Sequence, residues 1–122
     1  MSGFDIQVQT AYIEGESNPE QDRYVFAYTI TIANRGTTPA QLLNRYWRIT
    51  NARGEVEEVR GPGVVGEQPR ILPGTAFRYT SAAVLATPVG AMQGAYEFQR
   101  DDGSLFDVPI VPFSLSVPNM VH

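Results

Sequence analysis

The chain has 122 residues, a formal net charge of −4 and no cysteine. That length suits one domain able to bury roughly two-thirds of its unfolded surface without a disulfide or a metal. The missing cysteines exclude a thiol nucleophile and a thiolate zinc site, and the acidic balance argues against general affinity for nucleic acid or anionic lipid.

Taken in chain order, the organising signal has period two. Phe4, Ile6, Val8 and Tyr12 alternate with Asp5, Gln7 and Gln9, which predicts a first strand. Glu14 to Asp22, with Gly15 and Pro19, reads as a loop. Tyr24, Phe26, Tyr28, Ile30 and Ile32 then mark a long strand buried on at least one face, closed by the turn Asn34-Arg35-Gly36. A third strand is expected over about Ala40–Thr50, carrying Tyr46-Trp47 toward the core, and a short charged return strand over Glu55–Arg60. After a glycine-rich loop and the Leu72-Pro73-Gly74 turn, strands follow around Phe77–Ser81 and Met92–Phe98. Asp101-Asp102-Gly103 predicts a hairpin. In the last strand Phe106, Val108 and Ile110 share one parity and Val111, Phe113, Leu115 and Val117 the other, with Pro109 and Pro112 at the change. Such a slip predicts a bulge and a bend, which could carry the strand from one sheet to another. About seven strands without a helical period predict an all-β two-sheet sandwich, 1–122 forming one domain.

All nine basic residues are arginine, which removes P-loop lysine and Schiff-base chemistry. No stretch approaches the ~20 apolar residues of a membrane helix, and MSGFDIQVQT lacks the basic-then-apolar pattern of a signal peptide, so a cytoplasmic location is expected.

The stretch RGPGVVGEQP, residues 60–69, spells GxGxxG through Gly61, Gly63 and Gly66. A dinucleotide turn needs a helix after it to supply free N–H groups. Pro69 and Pro73 preclude that helix, and Pro62 removes a donor inside the motif. Three readings stay open. The glycines serve backbone geometry, letting the chain cross between sheets or another backbone approach. Alternatively, they form an anion-holding nest flanked by Arg60 and Arg70. In the third, Val64 and Val65 stand out as an apolar contact tip beside Glu67, rather than plugging the core. Arg45 shares parity with Leu43, Trp47 and Ile49, so its guanidinium needs a carboxylate, carbonyls or an aromatic face; an ion pair, with Glu67 for instance, is the expected solution. Glu55, Glu57, Glu58 and the Asp101-Asp102 pair lack calcium-loop spacing. The single histidine, His122, leaves no triad and no histidine-rich metal site.

Four segments, YVFAYTITIANRG (24–36), QLLNRYWRITNARGEVEEVRGPGVVGEQP (41–69), LPGTAFRYTSAAVLATPVGAMQGAYEF (72–98) and PFSLSVP (112–118), resemble the bacterial ApaG family, also called CorD. The resemblance covers nearly the whole chain, and GPGVVGEQP is its most specific piece. It implies a fibronectin type III-like, immunoglobulin-like β-sandwich. It also implies a small cytoplasmic protein linked to cobalt resistance and magnesium efflux, related to domains that serve as interaction modules. It brings no catalytic residues and no cofactor. Tyr46 and Ala83 stand where many members have histidine and cysteine, which argues against transition-metal binding through soft ligands. The expected function is therefore non-enzymatic binding of a protein partner through Arg60, Gly61, Gly63, Val64, Val65, Gly66 and Glu67, with Arg45 and Trp47 nearby. The alternative is capture of pyrophosphate or a nucleotide by the same loop. An enzyme acting on phosphate esters ranks third, for want of a base, nucleophile or metal site. Unpaired edge strands also offer a route to a homodimer.

Overall fold

The computed structural model describes residues 3–118. Eight strands, β1 (Phe4–Tyr12), β2 (Tyr24–Asn34), β3 (Ala40–Asn51), β4 (Val56–Pro62), β5 (Arg70–Ile71), β6 (Ala76–Leu85), β7 (Val89–Arg100) and β8 (Leu105–Ser116), are joined by turns and two single-turn 3-10 helices. They form two antiparallel sheets, β1-β2-β6 and β4-β3-β7-β8, with β5 adding a short pairing to the start of β3. This three-on-four arrangement is a fibronectin type III-like sandwich. Among the described residues no helix is long and apolar enough to cross a membrane.

The period-two pattern builds the core directly. Phe26, Tyr28, Ile30 and Ile32 of β2 are all buried and face Leu42 and Trp47 of β3, Met92, Tyr96 and Phe98 of β7, and Val108, Ile110 and Leu115 of β8. Burying a large apolar side chain contributes about 1.5–3 kcal/mol relative to leaving it exposed, so this alternation alone favours the sandwich strongly. Rings knit the layers together: Trp47 lies 5.5 Å from Tyr28 and 5.9 Å from Phe113, centroid to centroid.

Two irregularities shape the four-stranded sheet. Leu43 has no partner on β7, since the register passes from Leu42↔Phe98 to Asn44↔Glu97. A second shift falls between Met92 and Gly94, opposite the Pro109–Pro112 region of β8. The phase change in the last strand is therefore a bulge, as its parity predicts. However, β8 pairs with β7 on both sides of it and stays within one sheet. The glycine-rich loop likewise does not cross between layers, because β4 and β5 both pair with β3.

Candidate functional site

The loop leaves β4 at Pro62 and turns at once. Gly63 has φ +61° and donates its N–H to the Leu43 carbonyl at 2.8 Å. The same carbonyl accepts the Gln68 side-chain amide at 2.9 Å. The bulge at Leu43 thus supplies the anchor for both ends of the loop. Between them, Val64 and Glu67 exchange backbone hydrogen bonds of 2.8 and 2.9 Å. The two residues they enclose, Val65 and Gly66, both have positive φ, 44° and 81°. That is a type I′ turn, which favours Asn-Gly at its centre.

Val64 and Val65 therefore separate. Val64 is fully buried in the core, while Val65 is 53% exposed at the tip. A β-branched residue in the left-handed region is strained by about 1–2 kcal/mol. Gly63 has no such latitude, because a Cβ there would lie 2.2 Å from the Glu67 carbonyl oxygen.

Arg45 lies across the base of the loop. Its Nη1 donates to the carbonyls of Pro62 at 3.0 Å and Gly63 at 3.1 Å. Gly61, directly opposite Arg45 in the β3–β4 ladder, leaves room for the guanidinium, since a Cβ there would come within 3.0 Å of Nη1. The expected ion pair does not form; among the described residues Arg45 has no carboxylate partner, and main-chain oxygens satisfy it instead. Carbonyls suffice because the guanidinium is only half-buried and keeps part of its hydration. Trp47, two residues on, is buried in the aromatic core behind the loop, and its indole N–H has no acceptor.

The two flanking arginines point elsewhere. Arg60 stacks over the Tyr46 ring at 4.5 Å, and the Tyr46 hydroxyl donates to Glu58, a bond that raises its pKa. Arg70 makes a two-point pair with Asp101 at 3.1 and 2.5 Å. The amides of Gly63, Val64 and Glu67 are all donated within the chain, which leaves those of Val65 and Gly66 at the tip and of Gln68 beyond it.

Beside the loop, on the outer face of the four-stranded sheet, runs an open groove of about 580 Å³. Asn44, Tyr46, Arg60, Pro62, Glu97 and Asp107 contribute to its lining. Asn44 donates to Glu97 at 2.8 Å, and Glu97 stands directly opposite Asp107 in the β7–β8 ladder. Sequence reading did not single out Asn44, Glu97 or Asp107. The signal was available, since counting outward from a three-residue loop Asp101-Asp102-Gly103 sets 100 against 104 and 97 against 107. Among the described residues no group of three or more His, Cys, Asp or Glu side chains could hold a metal. His122 lies outside the described residues.

A family model for the ApaG domain matches residues 14–100, which include β2 to β7 and the whole loop. The chain belongs to the ApaG domain family. Protein ApaG of Sodalis glossinidius is 58% identical over 117 residues, covering 96% of this chain and 94% of that protein. Protein ApaG of Azotobacter vinelandii is 54% identical over 118 residues, with 97% and 94% coverage. A crystal structure described as the putative ApaA protein of Bordetella pertussis superposes with a TM-score of 0.93 at 45% identity, covering 96% of this chain and 95% of that one. The ApaG fold thus extends beyond the residues that the family model matches, to β1 and β8.

Proposed function

We propose that this ApaG-family chain is a non-enzymatic cytoplasmic binding protein that presents the 60–69 loop, and the groove beside it, to a protein partner. Its connection to cobalt resistance and magnesium efflux, which the family resemblance implies, would then run through that partner. The observation that carries this reading is Val65. The tip residue is apolar, exposed and held at a strained backbone angle, where asparagine would satisfy the same turn without strain. Strain kept at an exposed position points to use of the side chain. The anchoring by Gly63, Gln68 and Arg45 supports the reading further, because a rigid tip loses little entropy on binding.

Capture of pyrophosphate or a nucleotide has less to work with. Two tip amides remain, Arg60 is stacked on Tyr46, and Arg70 is engaged by Asp101. The two readings separate in one pair of experiments. Titrating isotopically labelled protein with pyrophosphate and ATP, with and without magnesium, is expected to leave the amides of residues 60–67 unmoved. A photoreactive side chain at position 65 is expected to give a discrete protein adduct in cells that the same group at Gln9, on the other sheet, does not give. Saturable amide shifts confined to the loop, without an adduct, would overturn the protein-binding reading in favour of an anion site.

A further inference from the structure

Apart from the two-residue β5, the sandwich has four edge strands, and three are protected. β8 carries Pro109, Pro112 and a register shift. β4 ends at Pro62 and bears Glu57 and Glu58. β1 packs against β8 of the other sheet, with Phe4 and Phe106 ring centroids 6.0 Å apart. The fourth, β6, has none of these devices. It pairs with β2 over ten successive residues without a shift, from Ala76↔Ala33 to Leu85↔Tyr24, and contains no proline. Its single charge is Arg78. A long, regular, nearly neutral edge offers a full row of backbone donors and acceptors for strand addition.

We propose that β6 pairs antiparallel with β6 of a second copy of this chain across a two-fold axis, joining the two three-stranded sheets into one of six strands. The strand's own chemistry selects this occupant. Centred on Ser81, the pairing sets Tyr79 opposite Ala83 and Phe77 opposite Leu85, so the core-facing sides stay in phase. Phe77, only half-buried in the single chain, gains an apolar neighbour. On the outer face Arg78 of one copy falls opposite Val84 of the other. Val84 is 49% exposed and lines a cleft between β4 and β6 together with Val56, Glu55 and Glu57. Among the described residues neither Arg78 nor Glu57 has an ion-pair partner. The register therefore brings an unpaired cation of each copy beside an unpaired carboxylate of the other. The two Arg78 side chains remain about 20 Å apart, six strand residues, so they do not repel closely.

Sedimentation equilibrium across a concentration series tests this directly, alongside hydrogen exchange of the β6 amides. A concentration-dependent dimer is expected, with protection growing in residues 76–85. Arg78→Glu should raise the dimer dissociation constant at least about tenfold. The double variant Arg78→Glu/Glu57→Arg should recover most of that loss. Both sites are exposed, and circular dichroism checks that each variant is folded. A folded chain that stays monomeric up to about 1 mM overturns the proposal. So does a dimer indifferent to Arg78→Glu and to Val84→Arg, which would have to use another surface.

Discussion

Gly63 and Val65 sit two residues apart and are expected to respond to substitution in opposite directions. Gly63→Ala puts a methyl into the Glu67 carbonyl, at a positive φ that alanine resists. A loss of roughly 3 kcal/mol or more is expected in urea unfolding. Val65→Asn restores the preferred pair of a type I′ turn and should raise stability by about 1 kcal/mol. If the tip serves a partner, the same change weakens binding, so the variant becomes firmer and less functional. The glycine spacing was legible in the sequence as a demand for unusual backbone. The separate reasons were not. Gly61 makes room for Arg45 only because the β3–β4 register sets 45 against 61. The ion pair expected for Arg45 failed for a related reason, since nothing in the local sequence says that two carbonyls will turn toward it.

The sheets are tied together at the level of strands by a polar contact inside the core. Tyr79 of β6 and Tyr96 of β7 share a hydrogen bond of 2.5 Å between buried hydroxyls. Burial is the main cause that lifts both pKa values above 10.0. The unfolded chain ionises its tyrosines near 10, whereas the folded chain keeps this pair neutral well beyond that. Their contribution is therefore fully present below pH 10 and is lost as pH rises above it, by roughly 1.4 kcal/mol per tyrosine per pH unit. Denaturation midpoints should be flat from neutrality to about pH 9 and then fall. The Tyr79→Phe/Tyr96→Phe variant should fall less steeply. Tyr79→Phe alone strands the hydroxyl of Tyr96 and is expected to cost about 1–3 kcal/mol at neutral pH. Strand positions were largely legible from period two, because alternation and burial are the same physical fact. The bulge at Leu43 was not, because Leu42-Leu43 reads as apolar in either phase, and the carbonyl that anchors the loop stayed hidden with it.

Beside the local hairpins β3–β4 and β7–β8, the molecule depends on pairings between distant parts of the chain, such as β2 with β6 and β3 with β7. Loop closure must precede most of its contacts, so folding on the millisecond-to-second scale is expected. Stopped-flow refolding completed within microseconds would contradict that. Fold class was legible as a whole because no helical period competes with the alternation. The groove beside the loop was legible only in part, since it gathers residues from β3, β4, β7 and β8 whose proximity depends on sheet order. Trp47 draws three strands of both layers together, touching Tyr28, Tyr96 and Phe113. As the single indole of the chain, it is also the natural sink for light absorbed by the tyrosines around it. Excitation of Tyr28 or Tyr96 should emerge as tryptophan emission while the layers stay together. Tyrosine fluorescence should return once they part, so the protein carries its own optical gauge of whether the sandwich is closed.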